Sequence, residues 1–445
     1  MWYMTLYNGI LLAASVVLLP WFGFKIAVTG KYRKSAGPKL GMVSPDTAHE
    51  MDGSPRIWVH AVSVGEVTAA APIIAALRDM LPDACIVLST STETGQDMAR
   101  RMVSGVTSYI YYPLDLPWVV RKVFDLVRPD IFVPVETELW PNCLRICRER
   151  DIPVVMVNGR ISPRSYARYS KTSFFWTKVL SMVDAAGMIS PVDADRIRDI
   201  GMDRSKITIM GNAKYDSLAA RTDESLRRDC VGLLSIPGES PVFVAGSTHR
   251  GEEEIVVAVY KRLLEDFPDC LLIIVPRHIE RRDEVLSLID QAGFTDHITM
   301  TEIRRGRRRT TERIIVVDVI GELFKMYSVA TVVFCGGSLV PRGGQNILEA
   351  AAWGAVVLYG PAMDDFTEEQ RLLETAGAGI TVRNERDLLD DVARIMKGPD
   401  ERAARGDAGR NAVMANRGAS RRYADLIASR LKARDKAHHP SARRR

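Results

Sequence analysis

The feature that most constrains this chain is an alternation of short apolar runs with segments of helical period, and this alternation occurs twice. In the first half, the apolar runs lie at 56–61, 85–90, 108–112, 131–135, 154–157, 185–189 and 207–210. In the second half, they lie at 242–245, 271–275, 314–317, 331–335, 356–359 and 379–382. Continuous apolar runs indicate strands buried on both faces, as in parallel sheets covered by helices. The sequence therefore predicts two α/β domains of the doubly wound type.

The chain length agrees with this division, because 445 residues exceed one ordinary hydrophobic core. We expect a Rossmann-like N-terminal domain at 56–216, a polar linker at 217–240 and a second Rossmann-like domain at 241–420. A linker rich in Gly, Pro, Ser and Asp is expected at 25–55. The segment 421–445 is predicted to hold a helix that crosses back to the first domain, followed by a disordered basic tail.

The N-terminal segment 1–24 contains no charged side chain. The first cations that follow are Lys25, Lys31, Arg33 and Lys34. A secretory signal would carry its positive charge before the apolar stretch, so the pattern favours an uncleaved membrane anchor with the rest of the chain in the cytoplasm. Because the apolar part is short and contains Pro20, a helix lying in the membrane interface is the alternative.

The formal net charge of +5 is unevenly distributed. The two basic clusters are Arg304, Arg305, Arg307, Arg308 and Arg309, and the terminal Arg443, Arg444 and Arg445. They are interpreted either as a solvated loop and tail or as groups attracted to an anionic membrane surface. Nucleic acid is not expected as a partner, because no aromatic residues interleave with the arginines. The six cysteines form no CxxC pair and no metal-ligand spacing, which predicts reduced thiols in a cytosolic body.

Ligands of open parallel sheets bind beyond the carboxyl ends of the strands, so the loops after the strands are the candidate sites. Glu66 follows the first strand and opens a helix, where the helix dipole would keep a general base ionised, although a plain helix-start glutamate has the same pattern. Glu136 and Glu138 follow the strand at 131–135. Arg160 and Arg164 follow the next strand, where guanidinium groups can hold a carboxylate or a phosphate.

The segment 166–183 mixes aromatic residues with cations, which include Arg168, Lys171 and Lys178. Such a helix can dock in a layer of lipid headgroups. Packing against the core, with the lysines reaching solvent, explains the same residues equally well.

In the second domain, glycine-rich loops follow several strands, at 246–251, 336–338 and 343–350. Exposed backbone amides in the loop 246–251 suit an oxyanion. In the loop 343–350, free amides can bind a phosphate and Glu349, one turn into the helix, can take ribose hydroxyls.

Seven motifs, in this order after the apolar N-terminus, resemble those of the 3-deoxy-D-manno-octulosonic acid (Kdo) transferases of lipopolysaccharide synthesis. They are HAVSVGE, VETELWPN, NGRISPRS, GNAKYD, GSTHRGEEE, VPRHIERR and GGQNILEAAAWGAVVLYGP, and the resemblance covers about residues 1–425. It implies the GT-B glycosyltransferase fold, with two Rossmann-like domains facing a cleft and an N-terminal anchor helix. It also implies transfer of Kdo from CMP-Kdo to a lipid A precursor at the cytoplasmic face of the bacterial inner membrane.

The resemblance also implies roles for particular residues. Glu66 would be the general base, and Glu136 and Lys214 would stabilise the transition state. The resemblance implies that CMP is held by Pro276, Arg277, Gly321, Glu322, Asn346 and Glu349. From their place in the loops that follow the strands, Ser247, Arg250, Leu323 and Gly344 are expected to contact the donor as well. The residues expected to contact the acceptor are Ser63, Gly65, Glu138, Arg160 and Arg164. No metal or cofactor is expected, because cations and helix amino ends can stabilise the departing phosphate of an inverting transfer.

Two other functions fit the same architecture. A sugar-nucleotide epimerase would act on a UDP-sugar and would need neither the apolar N-terminus nor a lipid acceptor. The other is a membrane-tethered protein that only binds a nucleotide-sugar. In such a protein the two acidic loops and Lys214 would have no catalytic role.

Overall fold

The structure is a computed structural model that describes residues 2–29, 33–44, 47, 50–238 and 240–438. It contains two compact units. Unit 1 comprises the described residues up to Asp216 and from Asn416 onward, and unit 2 comprises those from Ser217 to Ala415. The expected tail residues Arg443, Arg444 and Arg445, and the cation Lys31, lie outside the described residues.

Unit 1 alternates strands with helices along the chain. Its strands are β1 (Arg56–His60), β2 (Cys85–Thr90), β3 (Ser108–Tyr111), β4 (Ile131–Pro134), β5 (Val155–Gly159), β6 (Ala185–Met188) and β7 (Ile207–Ile209). Its helices up to the unit boundary are α1 (Trp2–Thr29), α2 (Arg33–Lys39), α3 (Val64–Met80), α4 (Glu93–Met102), α5 (Pro117–Val127), α6 (Pro141–Glu149), α7 (Pro163–Lys171), α8 (Ser173–Leu180), α9 (Pro191–Ile200) and α10 (Ala213–Arg221).

The strands of unit 1 are parallel and are ordered β3-β2-β1-β4 in one sheet and β5-β6-β7 in a second. Single bridges from Phe132 to Val154 and from Val135 to Val157 connect the two sheets. The chain moves outward from β1 through β2 to β3 and then resumes at β4, on the other side of β1. The strand order therefore reverses between β1 and β4, and a ligand crevice is expected beyond the carboxyl ends of these two strands.

Unit 2 repeats the alternation. Its strands are β8 (Val242–Thr248), β9 (Leu271–Pro276), β10 (His297–Thr299), β11 (Ile314–Val316), β12 (Val332–Cys335), β13 (Val356–Tyr359) and β14 (Gly379–Thr381). Its helices are α11 (Glu224–Leu234), α12 (Glu252–Asp266), α13 (Arg282–Gln291), α14 (Met300–Arg304), α15 (Leu323–Tyr327), α16 (Leu348–Ala351), α17 (Thr367–Thr375), α18 (Glu385–Lys397) and α19 (Pro399–Met414). Short 3₁₀ turns occupy Arg204–Lys206 in unit 1 and Ile279–Arg281 and Asp364–Phe366 in unit 2.

One parallel sheet of order β10-β11-β9-β8-β12-β13-β14 forms the centre of unit 2. Every residue of β8 and β9 is buried, as the continuous apolar runs predict for strands covered on both faces. The order of the strands reverses between β8 and β12, which puts the second expected crevice at the carboxyl ends of these strands.

The last helix, α20 (Ala419–His438), packs in unit 1. The ring of Tyr423 lies over Gly187 of β6, where a Cβ atom would stand 2.5 Å from the ring. The Tyr423 hydroxyl donates a hydrogen bond to the carbonyl of Gly211 over 2.7 Å. Near the end of α20, Arg434 forms an ion pair with Asp130. The C-terminal helix is therefore an integral part of the unit 1 core.

Both expected linkers contain regular structure. Residues 25–55 include the end of α1 and all of α2, and Ser35 in α2 is buried. Residues 217–240 include the end of α10 and all of α11, whose first turn is capped by the side chain of Asp223. The sequence does not indicate α11 as an amphipathic helix, because only two of its side chains, Cys230 and Leu234, are buried and the rest of the helix is mostly polar.

The segment 166–183 forms two helices instead of one, because the backbone leaves the helical region at Thr172. Val179 and Leu180 are buried, and Phe175 and Trp176 pack against the core of unit 1. Phe174 remains exposed. Core packing thus accounts for most of this segment.

The arginine run of unit 2 has structural partners. Arg304 pairs with Glu322, and Arg307 pairs with Glu302 and Glu312. Arg309 is buried and donates hydrogen bonds to the carbonyls of Leu234, Ser235 and Glu312. Arg304 and Arg307 are nonetheless exposed, as the interpretation of a solvated loop predicts. That interpretation is wrong for Arg309, because the short-range sequence pattern does not show the carbonyls that it binds.

Candidate active site

In unit 1, acidic side chains from the loops after β1 and β4 lie near the reversal of the strand order, and the first turn of α10 adds a basic side chain. The hydrogen bonds of Val135 N–H to the His60 carbonyl and of Glu136 N–H to the Val157 carbonyl, each 2.9 Å long, bring the two loops side by side. Lys214 Nζ lies 3.1 Å from Glu136 Oε1. We call Glu66, Glu136, Glu138 and Lys214 the unit 1 cluster.

Glu66 lies in the first turn of α3 and is buried. Its two carboxylate oxygens accept hydrogen bonds from Val62 N–H over 2.7 Å and from the Ser63 hydroxyl over 3.1 Å. These bonds hold the carboxylate at the amino end of α3, in the way that the first-turn glutamate of a capping box accepts a hydrogen bond from the start of its helix. Gly65 lies beside the cation, since a Cβ atom there would stand 3.7 Å from Lys214 Nζ, in ordinary van der Waals contact.

The electrostatics of Glu66 differ from the sequence expectation. Burial, followed by the neighbouring charges of Glu138 and Glu136, raises the pKa of Glu66 from its ordinary value of 4.5 to about 8. The dipole of α3 does not offset this rise in pKa. Burial and the neighbouring carboxylates destabilise the charged form of Glu66 by more than the helix dipole stabilises it. The expectation of an ionised Glu66 near neutral pH is therefore wrong. A base with a pKa near the working pH is nevertheless well matched to proton transfer.

Glu138 shares this environment. Burial raises its pKa from 4.5 to about 7, and the charge of Glu136 adds to that rise. The indole N–H of Trp140 donates to Glu138 Oε2 over 2.9 Å and opposes the shift. Trp140 was not among the expected site residues, although it stands two residues after Glu138 in the same motif.

Glu136 and Lys214 are positioned by unusual backbone and by asparagine side chains. Glu136 has a φ of 58°, and Asn158 one of 50°, both in the left-handed region that costs a non-glycine residue free energy. The Asn158 side chain accepts the amide of Ala213 over 2.9 Å, and that of Asn212 accepts the amide of Lys214 over 3.0 Å. These contacts hold the start of α10, and hence Lys214, at the end of the sheet.

The other expected acceptor residues contribute less directly. The Thr137 hydroxyl donates to the carbonyl of Arg160, which ties the two strand-exit loops together. Arg164 is exposed in the first turn of α7. His60 belongs to the same motif as Glu66 and is fully buried. Its ring stacks on that of Tyr112 with centroids 3.8 Å apart, and burial lowers the pKa of His60 to about 3. His60 is therefore a neutral core residue.

In unit 2, five of the ten expected donor residues line one cavity of about 280 Å³. These five are Ser247, Pro276, Arg277, Gly321 and Leu323. The cavity lies beyond the carboxyl ends of β8, β9 and β11, where a parallel sheet binds its ligand. Ser247 has a φ of 55°, so its strand turns sharply at the cavity wall. His278 also lines the cavity; it follows Arg277 directly in the motif but was not among the expected residues.

The other five expected donor residues lie away from this cavity lining. Arg250 is exposed and pairs with Glu284 through two hydrogen bonds of 2.8 Å each. Glu322 is buried and accepts from Arg304 and Lys325. Gly344, Asn346 and Glu349 belong to the loop and short helix after β12, where Asn346 caps Leu348 N–H over 3.1 Å. Burial raises the pKa of Glu349, and the charge of Arg221 opposes the rise.

In unit 2, the buried carboxylate of Glu252 accepts hydrogen bonds from loop amides that the sequence predicts to bind a ligand. Glu252 accepts four backbone hydrogen bonds, from His249, Gly337, Ser338 and Leu339, over 2.7 to 3.1 Å. The expectation that the His249 amide is open to an oxyanion is therefore wrong. Sequence reasoning missed this role, because a glutamate in the first turn of a helix has the same pattern when it only complements the dipole.

We expect Glu252→Gln to lower the free energy of unfolding of unit 2 by about 2 kcal/mol or more, because an amide has only one acceptor oxygen for these four donors. Urea unfolding and hydrogen exchange of the amides of Gly337 to Leu339 measure the effect. Glu265→Gln, on the exposed face of the same helix, is the matched control, with a change within about 0.5 kcal/mol. Unchanged amide protection in Glu252→Gln would contradict this role.

Comparison with known proteins identifies the family. Residues 34–217 match the family model described as 3-deoxy-D-manno-octulosonic-acid transferase (kdotransferase). The 3-deoxy-D-manno-octulosonic acid transferase of Haemophilus influenzae is 32% identical over 426 residues, which cover 95% of this chain and 97% of that protein. The enzyme of the same description from Chlamydophila psittaci is 29% identical over 405 residues, which cover 90% of each chain.

Among solved structures, UDP-GlcNAc 2-epimerase from Neisseria meningitidis has a TM-score of 0.56 and covers 85% of this chain and 100% of its own. At 12% identity, this similarity shows the fold alone, which is the two-unit Rossmann-like GT-B fold that the sequence predicts. The family, by contrast, follows from the sequence relatives. This chain belongs to the 3-deoxy-D-manno-octulosonic acid (Kdo) transferase family of glycosyltransferases.

Proposed function

We propose that this protein transfers Kdo from CMP-Kdo to a lipid A precursor, as an inverting enzyme of lipopolysaccharide biosynthesis. The observation that carries the proposal is the unit 1 cluster. It combines a buried, hydrogen-bonded Glu66 whose pKa is raised to about 8 with an ion pair of Glu136 and Lys214 at the reversal of the strand order. Perturbed carboxylates at such a position are typical of acid–base catalysis.

In the proposed reaction, an acceptor hydroxyl oxygen attacks the anomeric carbon of Kdo. The bond from this carbon to the phosphate oxygen breaks, and CMP leaves with the electron pair. Glu66 takes the hydroxyl proton, and a single displacement inverts the anomeric configuration. Lys214 stabilises the negative charge that develops in the transition state, while Glu136 orients the ammonium group over 3.1 Å.

For the donor, we propose that CMP-Kdo binds in unit 2 at the cavity lined by Ser247, Pro276, Arg277, Gly321 and Leu323. Arg277 can pair with a phosphate or carboxylate, and the cavity is lined mainly by apolar side chains, as is usual for a small-molecule site. Glu322, Asn346 and Glu349 remain proposed donor residues on the resemblance alone, and Arg250 and Gly344 remain so on their place in the loops that follow the strands. The proposed acceptor contacts are Ser63, Gly65, Glu138, Arg160 and Arg164.

We propose that transfer needs no metal or cofactor. Across the described residues, no group of three or more His, Cys, Asp or Glu side chains could hold a metal ion. The unit 1 cluster provides a cation, Lys214, where charge has to be stabilised.

For the location, we propose that α1 attaches the protein to the bacterial inner membrane with both units on the cytoplasmic side. Within the described part of the chain, α1 is the one helix long and apolar enough to cross a membrane, over Tyr3–Trp21. The sequence leaves two arrangements open, a single pass and a helix in the interface.

The test is transfer by the full chain in the presence of a chelator. Incubation with freshly made CMP-Kdo and a tetra-acylated lipid A precursor should add the mass of one or more Kdo units to the lipid and release CMP. Absence of any Kdo-lipid product from folded protein would contradict the proposal. Incubation with UDP-GlcNAc tests the epimerase alternative, which the fold similarity alone does not favour.

The rate of transfer should depend on pH through Glu66. Because the pKa of Glu66 is raised to about 8, the carboxyl is largely protonated below that pH and cannot accept a proton. We therefore expect kcat/KM to rise about tenfold per pH unit as the pH approaches 8 and to level off above it. The charge of Glu138 contributes to the raised pKa of Glu66, so the apparent value depends on the ionisation of Glu138 as well. A profile that is flat from pH 5 to 9 would contradict this assignment.

A further inference from the structure

The beginning of α1 is docked on the body of unit 1 through buried polar contacts. The Tyr7 hydroxyl donates to Asp115 Oδ2 over 2.9 Å, and Asn142 Nδ2 donates to Asn8 Oδ1 over 2.7 Å. Asp115 and Asn142 are both buried in the body. The rings of Tyr3 and Tyr7 also contact Phe175, with centroids 6.1 and 6.0 Å apart. The first two turns of the helix are therefore part of the packed unit.

The chain that follows α1 returns to the same place on the body. The carbonyl of Lys39, the last residue of α2, accepts a hydrogen bond from Leu114 N–H over 2.9 Å. Leu114 is the residue next to Asp115, the partner of Tyr7. Ser35 of α2 is buried as well. The segment after α1 therefore contacts the body at Leu114, the neighbour of the residue that binds Tyr7.

These contacts are incompatible with a single pass. A helix rises about 1.5 Å per residue, so a span over Tyr3–Trp21 would put its two ends roughly 30 Å apart, on opposite faces of the hydrocarbon layer. Tyr7 and Asn8 would then be separated from Asp115 and Asn142 by most of the bilayer. The return segment offers no second crossing, because residues 30–39 contain four cations and no uninterrupted apolar stretch.

Beyond its docked turns, α1 still needs an apolar environment. Ile10, Val16 and Phe24 are 63%, 68% and 70% exposed. These three side chains point to different sides of the helix, and exposed apolar surface of this kind binds another apolar phase. Lys25, Arg33 and Lys34 follow and can contact anionic headgroups.

The surface of unit 1 beside the docked turns has the composition of a membrane interface. Trp118, which lines the cavity beside the start of α1, is 58% exposed, and Phe174, the neighbour in sequence of Phe175, is 60% exposed. A cavity of about 790 Å³ between the start of α1 and the body is lined by Trp118, Arg145 and Arg148 among other residues. Exposed aromatic side chains with cations are typical of the headgroup level. The N-terminal end of α1 therefore lies at the same membrane face as the body.

We propose that α1 inserts into a single leaflet and does not cross the bilayer, so that the N-terminus stays on the same side of the membrane as unit 1. The partner of its exposed apolar surface is the hydrocarbon of that leaflet. This inference rests on the membrane attachment proposed above and replaces the single pass by a one-sided insertion.

The experiment uses the full chain with a site for a specific protease at the N-terminus or, as a control for the side of unit 1, at the C-terminus after α20. The protease is added to right-side-out spheroplasts, to inverted membrane vesicles and to detergent-solubilised protein. We expect both sites to be cut from the same side, in inverted vesicles, and both to be protected in spheroplasts. Cutting of the two sites from opposite sides, or an N-terminal site cut only in detergent, would overturn the proposal.

A second measurement tests the docking itself. The six native cysteines are buried, so introduced thiols can be followed against a low background. Asn8→Cys with Asn142→Cys should crosslink in native membranes upon oxidation or with a short bis-thiol reagent, because the two side chains are in hydrogen-bond contact. Val28→Cys with Asn142→Cys, at the far end of the helix, is the matched control and should not.

The two proposals fail in distinguishable ways. If the protein does not sediment with membranes, the attachment itself is wrong and the insertion with it. If it sediments, but the Asn8 and Asn142 positions do not crosslink and the N-terminal site is cut in spheroplasts, only the one-sided insertion is wrong. Neither measurement uses transfer activity as its readout.

Discussion

Glu66→Gln is expected to lower kcat for Kdo transfer by at least about a hundredfold, the smallest effect typical of losing a general base. The amide keeps the shape of the side chain and can still accept the hydrogen bond from Val62 N–H, but it cannot take the proton of the acceptor hydroxyl. Binding of CMP-Kdo should remain near normal, because the proposed donor cavity is lined by unit 2 residues. Single-turnover transfer and calorimetric titration with CMP separate the two effects.

A loss of activity in Glu66→Gln should not come from a loss of stability. The pKa of Glu66 rises from 4.5 to about 8 in the folded protein, so the folded state holds more protons than the unfolded state between these values. The free energy of unfolding contributed by this group therefore falls as the pH rises through that window. The neutral glutamine removes this penalty, and the variant should be at least as stable as the parent protein at pH 8.

Glu138→Gln is the matched control, because it removes a second buried carboxyl from the same cluster. The charge of Glu138 contributes to the raised pKa of Glu66, so its removal should shift the pH profile toward lower pH and leave a clear pH dependence. Glu66→Gln should remove that dependence. If Glu66→Gln keeps near-normal turnover while Glu138→Gln abolishes it, the roles of the two carboxylates must be exchanged.

The arrangement of the strands could be predicted from the sequence, because the evidence for it is local. Buried parallel strands are continuous apolar runs, and the run at 356–359 coincides with β13 (Val356–Tyr359). β10 (His297–Thr299) was not predicted, since three residues with a partly exposed histidine carry too little apolar character. The second helix of the linker, α11, was hidden for the same reason.

The candidate site could be predicted in part. The strand-exit rule led to Glu66 and Glu136, and the resemblance added Lys214, which the structure joins to Glu136 in an ion pair of 3.1 Å. The rule does not show which loop amides are already satisfied, and so the role of Glu252 was missed. The ionisation state of Glu66 could not be predicted from the sequence either, because its pKa depends on burial and on the charge of Glu138, which is 72 residues away along the chain.

The N-terminal helix illustrates a related limit. Composition shows that residues 3–21 prefer an apolar phase, but it cannot show that the beginning of α1 and the end of α2 contact the same body. That information lies in contacts between distant residues, such as Tyr7 with Asp115. Hydropathy therefore predicts attachment to a membrane, whereas tertiary contacts decide the topology.

Lys214→Met is expected to lower kcat by roughly a hundredfold to a thousandfold, the range typical of removing one group that stabilises developing negative charge. Methionine keeps most of the apolar stem of the lysine and removes only the charge. The acceptor KM should change much less than kcat, because the proposed interaction forms in the transition state. Steady-state kinetics with CMP-Kdo and the lipid acceptor measure both quantities.

A merely structural role for Lys214 would give a loss of activity too, because the substitution leaves Glu136 without the cation 3.1 Å away. The double variant Glu136→Gln with Lys214→Met separates the two roles, since it removes both charges of the pair.

If Lys214 only neutralises Glu136, the double variant should recover most of the activity that Lys214→Met loses. If the ammonium group stabilises the transition state, the double variant should stay as slow as Lys214→Met or slower, and Lys214→Arg, which keeps a cation, should be the least impaired of the three. Recovery of activity in the double variant would therefore contradict the proposed catalytic role of Lys214 and leave Glu66 as the principal group of the unit 1 cluster.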